Sequence, residues 1–218
     1  LVIALAALRA GQYMLVKASI AGAIVSNTLF MLGASFLLGG LKHHTQEFNR
    51  AGARFQAGLL LLATVALLVP SAIGAGGADA DSLGPFMHEL SVGLSVLLIA
   101  AYALGLVFSL KTHREFFGSA EHGDGGEAPW PLGLALATLA VVTVLVALVS
   151  EVFVESVQGA ALDLGMTPAF VGFVVVALVG GAAEMASAFS GARKNRLNLS
   201  VGIALGSASQ IALFVAPV

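Results

Sequence analysis

The sequence predicts an all-α integral membrane protein built as an inverted repeat. Hydrophobic residues make up 58% of its 218 positions and charged residues only 10%, whereas a soluble domain carries about 25% charged residues. The apolar residues fall into segments close to the roughly 20 residues that an α-helix needs to cross a bilayer. A weak similarity also links the beginning of the chain to its end.

Six apolar segments predict membrane spans, and a helix tail at Leu1–Leu8 precedes them. A short turn, Arg9–Gln12, separates this tail from the first span. Because the sequence begins and ends within apolar runs, we expect it to be part of a longer protein. The predicted spans are Tyr13–Leu41, Phe55–Ile73, Met87–Leu110, Leu132 to about Val157, Ala169–Ala192 and Leu197–Val218.

The basic residues indicate which loops face the cytoplasm. Eight Lys and Arg residues follow the first, third and fifth spans, and only two lie on the opposite side. Cytoplasmic loops of membrane proteins carry an excess of Lys and Arg, so we expect the first group, and the long acidic loop among them, to be cytoplasmic. The eight are Lys42, Arg50, Arg54, Lys111, Arg114, Arg193, Lys194 and Arg196, and the two are Arg9 and Lys17.

The internal similarity becomes visible when the chain is shifted along itself until Arg9 falls on Arg193, which also places Gly22 on Gly206. Matched helices are then five spans apart, so they cross the membrane in opposite directions. Inverted repeats are typical of secondary transporters, whose substrate site lies near the midplane; chance alignment of apolar residues is the alternative. We expect the latter part of the first repeat in 1–110, an acidic cytoplasmic loop in 111–131 and the start of the second repeat in 132–218.

One carboxylate, Glu184, lies inside the fifth span, about 16 residues past Pro168. An ionised group inside hydrocarbon is rare and marks an ion or proton path by default. Gly180 and Gly181 precede it, and paired glycines allow a membrane helix to break and expose carbonyls to a cavity. The alternative is that the glycines only permit close helix packing while Glu184 reaches outward to the interface.

Neutral oxygen ligands cluster near the matched positions of the two repeats. Carboxylate, hydroxyl and amide oxygens are the ligands of a hard cation such as Ca²⁺. The chain has no cysteine, and its histidines lie in or beside loops, so a zinc or copper site is not expected. Each serine alone could instead bond its own backbone. The candidate metal ligands are Glu184, Ser26, Asn27, Ser207, Ser209 and Gln210.

Two further carboxylates, Glu151 and Glu155, lie one helical turn apart near the outer end of the fourth span. This spacing places them on one face of the helix. They are either a proton or cation relay towards Glu184 or an interfacial pair in contact with water. The paired histidines His43 and His44 have no partner at ligand spacing, and we expect them to be solvated.

Several stretches resemble the calcium/proton exchanger family, a branch of the cation/calcium exchanger superfamily. GGAAEMASAFSGARKNRLNLSVGIALGSASQIALFVAP is similar to the second repeat of that family, and VKASIAGAIVSNTLFMLG to the first. LKTHREFF and SEVFVES also resemble it. Two positions depart from the family pattern, because Gly181 stands where the family usually has Asn and Met185 where it usually has His.

The resemblance implies an inverted-repeat transporter bundle of ten core helices plus one extra, of which this chain would cover about six spans. It also implies exchange of cytosolic Ca²⁺ for protons. The position of Glu184 is then that of the cation-binding glutamate, and residues at the positions of Ser26, Asn27 and Gln210 help to line the site. The two departures bear on ion selectivity, affinity and proton coupling.

The sequence therefore predicts a Ca²⁺/H⁺ antiporter and no enzyme, because no nucleophile–base pair or nucleotide loop is present. The alternatives are an exchanger of the same fold for Na⁺, K⁺ or Mn²⁺, and a channel or non-transporting membrane subunit. The expected partners are Ca²⁺, H⁺ and the lipid bilayer; no cofactor and no nucleic acid is expected, and a homo-oligomer is left open. The Ala- and Gly-rich composition and short loops favour a bacterial inner membrane over a vacuole.

The repeat also makes a prediction upstream of this sequence. The offset that matches Arg9 with Arg193 maps Glu184 to the position immediately before Leu1. If the halves are inverted copies, a second buried glutamate should precede Leu1. Two carboxylates could neutralise a divalent ion near the midplane, whereas one could not.

Overall fold

The structure, a computed structural model, describes residues 2–75, 80–112 and 131–218. All of its long elements are helical, which confirms the predicted all-α class. Within the described residues, five helices are long and apolar enough to cross a membrane, or six if the two that meet at Gly181 form one broken span. In chain order the elements are α1 (Val2–Arg9), α2 (Tyr13–Val25), the π-helix π1 (Ser26–Met31), α3 (Leu32–Gly40), α4 (Arg50–Ala75), α5 (Ala80–Val107), π2 (Phe108–Thr112), α6 (Leu132–Asp163), α7 (Pro168–Phe170), π3 (Val171–Val176), α8 (Ala177–Gly180), α9 (Ala182–Arg193), α10 (Leu197–Gln210) and π4 (Ile211–Val215).

The chain divides into two compact units, of which the first comprises Leu1–Gly22 and His122–Gly180. Its apolar core includes Leu15 on α2 and Val171 on π3. At Gly22 the two backbones approach so closely that a Cβ would overlap the carbonyl oxygen of Phe173. The missing side chain at this position therefore lets α2 and π3 pack backbone against backbone.

The second unit comprises Ala23–Glu121 and Gly181–Val218. One of its apolar clusters joins α4, α5 and the α10–π4 helix, and is built around Ala63, Leu98 and Leu213. Two smaller clusters lie along α9 and α10. The helices that carry most of the predicted ligands, π1, α9 and α10, all belong to this unit.

Two predicted loop boundaries are wrong. Helix α4 already begins at Arg50, inside the loop expected from Lys42 to Arg54, and α5 begins at Ala80, inside the loop expected up to Pro85. Pro85 and the Gly-, Ala- and Asp-rich run before it looked like turn signals. A proline is tolerated within a membrane helix because neighbouring groups compensate for the lost hydrogen bond. Residues 113–130, which contain the acidic part of the 111–131 loop, lie outside the described residues.

The fifth predicted span is broken at Gly181, as the paired glycines indicated. Gly181 has φ −93° and ψ 1°, outside helical values, and α9 begins at the next residue. The span starts at Pro168, where Thr167 caps the helix by accepting a hydrogen bond from Phe170 N at 3.2 Å. A threonine cap followed by proline in the first turn is a common helix start.

The local backbone repeats at the same offset as the sequence. Gly11, with φ 71°, and Asn195, with φ 59°, are matched by that offset and are both in the left-handed region. Each terminates a helix with the same kind of turn hydrogen bond, Gly11 N to Leu8 O at 3.0 Å matching Asn195 N to Ala192 O at 3.2 Å. The helices that follow begin at Tyr13 and Leu197, which the offset also matches, and each runs directly into a π-helix.

Candidate cation site

Glu184 lies in the first turn of α9, three residues after the break at Gly181. The break leaves the N-terminus of α9 within the bent span, where unpaired N–H groups and the helix dipole favour a negative charge. The side chain is half-buried. Glu184, the carboxylate of this span, therefore lies at a helix N-terminus that stabilises an anion.

A chain of hydrogen bonds connects three predicted ligands. Ser207 Oγ on α10 donates to Glu184 Oε2 at 2.6 Å. Asn27 Nδ2 on π1 donates in turn to Ser207 Oγ at 3.0 Å. The Asn27 side chain is buried, with 2% of its surface exposed. A short bond from a hydroxyl to a carboxylate is strong because the acceptor is charged, so these three residues form one ordered polar group.

Ser26 places beside Asn27 a buried oxygen that has no partner among the described residues. It precedes Asn27 at the start of π1, is 8% exposed, and its Oγ makes no hydrogen bond with the described residues. A buried polar atom is seldom left unpaired in a protein, and an oxygen in this state is available to a cation. Its place beside Asn27 fits a cation ligand.

The structure places the other two predicted ligands differently. Ser209 is buried, and its Oγ lies 3.4 Å from the carbonyl oxygen of Gln56 on α4, a weak contact with another helix. Gln210 ends α10 with an exposed side chain and makes no side-chain hydrogen bond with a described residue. The hydrogen-bonded group formed by Asn27, Ser207 and Glu184 includes neither of them.

The two glutamates proposed for a proton or cation relay both lie on α6, in the first unit. Glu155 is exposed, and the side chain of Glu151 lies outside what the structure describes. The shared face of the two side chains stays a prediction. Their link to Glu184 stays a prediction.

An apolar cluster lies one helical turn beyond the polar group on each of its three helices. Met31, Met185, Ala188 and Ala204 pack together, and Met31, Ala188 and Ala204 are fully buried. By the predicted topology, this is the cytoplasmic side of the site. Met185 stands at the position where the resemblance leads one to expect histidine. Its flexible apolar side chain packs in this cluster, whereas a histidine would require a polar partner there.

Within the described residues no three His, Asp or Glu side chains come together. The site assembled here therefore combines one carboxylate with hydroxyl and amide groups. This composition suits a hard cation that takes oxygen ligands and does not suit zinc or copper.

Sequence reasoning missed the contacts of the linker between α3 and α4. His43 was expected to be solvated, but it is half-buried, and its Nε2 lies 3.2 Å from the carbonyl oxygen of Arg193. Gln46 and Asn49 also contact the α9–α10 turn. The linker and the turn are far apart in the sequence. The one signal that could have linked them is that both contain amide side chains.

Comparison with known proteins places these features in one family. A family model described as sodium/calcium exchanger protein matches residues 1–111 and 134–218. The chain is 40% identical to the Ca²⁺/H⁺ antiporter ChaA of Bacillus subtilis, with 100% of this chain and 62% of the relative aligned. It is 36% identical to the vacuolar cation/proton exchanger 1 of Arabidopsis thaliana, again over 100% of this chain and over 50% of the relative.

Solved structures agree with this assignment. The structure of native YfkE matches with a TM-score of 0.78 and 36% identity, covering 99% of this chain and 60% of the other. A second structure, of the selenium-substituted Ca²⁺/H⁺ antiporter protein YfkE, matches with a TM-score of 0.73 and 34% identity. The chain thus spans between half and two thirds of the length of these relatives.

Proposed function

This chain belongs to the sodium/calcium exchanger protein family, and we propose that the protein containing it is an antiporter that exchanges Ca²⁺ for H⁺ and so lowers cytosolic Ca²⁺. The observation that carries the proposal is the hydrogen-bonded group Asn27–Ser207–Glu184 beside a broken membrane helix. Relatives named as Ca²⁺/H⁺ antiporters, from Bacillus subtilis and from Aphanothece halophytica, support the choice of ions.

The mechanism rests on competition between Ca²⁺ and H⁺ for the carboxylate of Glu184. Ca²⁺ requires the ionised form of Glu184, and a proton bound there removes the negative charge that holds the cation. Ser207 donates its only hydrogen to Glu184 and accepts one from Asn27, which leaves one hydroxyl lone pair for a cation. Binding of Ca²⁺ and binding of H⁺ therefore exclude each other at this group.

Transport also requires access to the site from alternate sides of the membrane. The break at Gly181 places Glu184 at the start of a helix within the bent span, which suits a site near the midplane. The apolar cluster around Met31 and Met185 packs π1, α9 and α10 together on the predicted cytoplasmic side, and we expect it to exclude ions from the direct route there. Ions would then reach Glu184 along another face of these helices.

Exchange of another cation is the alternative of the same fold, and a channel or a non-transporting subunit is the alternative of a different class. The deciding experiment reconstitutes the full-length protein in liposomes and measures Ca²⁺ uptake after an acidic interior is imposed. An antiporter accumulates Ca²⁺ only while the pH gradient lasts and moves protons outward in proportion. A channel passes Ca²⁺ without proton movement, and a non-transporting subunit passes none.

Cation selectivity is measured in the same vesicles. Uptake is repeated with Na⁺, K⁺ or Mn²⁺ in place of Ca²⁺ under the same pH gradient. The proposal predicts a larger proton efflux with Ca²⁺ than with Na⁺ or K⁺, because a carboxylate with neutral oxygens suits a divalent oxygen-binding ion better than a monovalent one; the comparison with Mn²⁺ is decided by the measurement. A larger response to one of the other cations would support the alternative.

A further inference from the structure

The last turn of α9 is capped by side chains from a distant linker. We define the clasp as residues 41–49, which connect α3 to α4. Gln46 Nε2 donates to Ala192 O at 2.9 Å and to Asn195 Oδ1 at 3.2 Å. His43 Nε2 lies 3.2 Å from Arg193 O, a distance at which the ring N–H donates to the carbonyl. The final carbonyls of a helix need partners from beyond its last turn. Backbone N–H groups of the α9–α10 turn bond the carbonyls of Ser190, Gly191 and Ala192. The clasp adds a second partner for Ala192 O and one for Arg193 O.

The amide of Gln46 fits a space that only glycine leaves open. Gly39, in the last turn of α3, is buried, and a Cβ placed on it would overlap Gln46 Oε1. The side chain of Gln46 is thus held between the end of α3 and the end of α9. Phe48 reinforces the arrangement by packing against the apolar cluster of Ala192, Leu197 and Val201.

The α9–α10 turn is shaped to receive the clasp. Asn195 occupies the left-handed conformation that Gly11 occupies at the matching position of the first repeat. Asparagine tolerates this conformation better than most residues, and unlike glycine it offers an oxygen, which accepts the second hydrogen bond of Gln46. Asn198 Oδ1, on the other side of the turn, accepts from Asn49 N at 3.0 Å.

The clasp joins the far ends of the helices that form the cation site. Asn27 lies on π1, which continues without interruption into α3, while Glu184 lies on α9 and Ser207 on α10. Ala192, where Gln46 binds, lies two helical turns beyond Glu184, about 12 Å along a rigid helix. A shift of the α9 end relative to α3 would therefore change the distances between Asn27, Ser207 and Glu184.

We infer that Gln46 is a positioning residue for the cation site, acting through α9 to hold Glu184 and Ser207 in register with Asn27; this inference rests on the proposed function. The clasp then contributes to Ca²⁺ affinity as well as to folding. Loss of the clasp is expected to weaken Ca²⁺ binding while the chemistry at Glu184 stays intact.

The transport test compares Gln46→Ala and Gln46→Glu in the full-length protein with Glu47→Gln as the matched control. Glu47 is the exposed neighbour of Gln46 in the same linker. We expect Gln46→Ala to raise the apparent KM for Ca²⁺ about fivefold, as for the loss of one or two hydrogen bonds, with little change in the maximal rate. Gln46→Glu should raise the KM further, because it places a carboxylate next to the carbonyl oxygen of Ala192. An unchanged KM in both variants would overturn the inference.

A double-mutant cycle separates positioning from folding. Gly39→Ala should displace Gln46 and raise the KM as Gln46→Ala does, and the double variant should be no worse than either single one, because both remove the same contact. Independent, additive effects would overturn the inference. So would a loss of thermal stability in all three variants with no change in KM.

Hydrogen exchange provides a readout that does not depend on transport. In Gln46→Ala the amides of residues 192–196 should exchange faster than in the parent protein, whereas those of the α1–α2 turn should not change. If the parent protein moves no Ca²⁺, the proposed function fails, yet this exchange test of the clasp remains valid. Unchanged exchange at 192–196 would show that Gln46 does not hold the end of α9.

Discussion

Ser207 Oγ on α10 donates a hydrogen bond of 2.6 Å to Glu184 Oε2 on α9, although the two residues are 23 positions apart. The same oxygen accepts from Asn27 Nδ2, 180 positions away, at 3.0 Å. Ser207 is therefore the central member of the polar group, and it orients the carboxylate. Asn27 donates to Ser207 and Ser207 donates to Glu184, so the carboxylate oxygen is the final acceptor of the chain.

Glu184→Gln should abolish proton-coupled Ca²⁺ transport while the protein stays folded. The amide keeps the shape of the side chain and removes both the negative charge and the exchangeable proton. Uptake into proteoliposomes under a pH gradient measures the first effect, and the apparent melting temperature the second. Glu47→Gln, an exposed carboxylate in the same unit, is the control and should transport normally. Transport by the Glu184→Gln protein at a rate close to the parent would remove Glu184 from the mechanism.

Ser207→Ala should weaken Ca²⁺ binding about tenfold, the size expected when a hydrogen bond to a charged group is lost. The substitution removes the donor that orients Glu184 and the hydroxyl oxygen itself. Isothermal titration of the purified full-length protein with Ca²⁺ measures the change. The matched control is Ser187→Ala on α9, because among the described residues Ser187 Oγ bonds only the carbonyl of Ala183 in its own helix, at 3.1 Å. Equal dissociation constants for the two alanine variants would contradict the role of Ser207.

The members of the candidate site could be chosen from the sequence because their polar side chains interrupt apolar helices. Glu184, Asn27 and Ser207 stand out against their surroundings, and the glycine pair before Glu184 indicates the break. The partners of Ser209 and the exposed position of Gln210 could not be predicted, since they depend on how α10 is rotated against α4.

The clasp was beyond prediction for a different reason. Gln46 lies in a polar linker where a solvated side chain is the ordinary expectation, and its bond to Ala192 is with a backbone oxygen 146 residues away. Backbone carbonyls carry no sequence signal. The helical start of α5 at Ala80 was missed for the opposite reason, because proline and glycine signal a turn in water but are accommodated in a membrane helix.

Gly22→Ala should destabilise the fold by about 1–3 kcal/mol, as extra methyl groups do in well-packed interiors. A Cβ at Gly22 would overlap the backbone carbonyl oxygen of Phe173, which cannot move aside as a flexible side chain could. Gly33→Ala is the control, since a Cβ there meets nothing within 4 Å. The measurement is the midpoint of thermal unfolding in detergent, and we expect a lower value for Gly22→Ala alone. An unchanged midpoint would argue against backbone contact between α2 and π3.

The apparent affinity for Ca²⁺ should fall as the pH is lowered, because a carboxylate must lose its proton before it binds the ion. Ca²⁺ dissociation constants measured between about pH 8 and pH 5 test this expectation. In Glu184→Gln the residual affinity, if measurable, should depend less steeply on pH, because one of the protons that compete with Ca²⁺ is gone. A flat profile in the parent protein would rule out competition at Glu184.

The last prediction concerns the residue that precedes Leu1 in the whole protein. The turns at Gly11 and Asn195 and the starts of α2 and α10 repeat at one common offset, and the same offset places the counterpart of Glu184 immediately before Leu1. We expect a glutamate there, preceded by a glycine-containing break like the one at Gly181. A single carboxylate leaves a divalent ion with uncompensated charge in a medium of low dielectric, where such charge is costly.

The sequence upstream of Leu1 checks the first part of this prediction, and an apolar residue at that position would contradict both the repeat and the two-carboxylate mechanism. Where the glutamate is present, its substitution by glutamine should abolish Ca²⁺ transport as fully as Glu184→Gln does. The double variant should show no further loss, because neither carboxylate alone is expected to bind Ca²⁺. Substantial Ca²⁺ transport by the upstream variant would mean that Glu184 with neutral oxygens alone binds the ion.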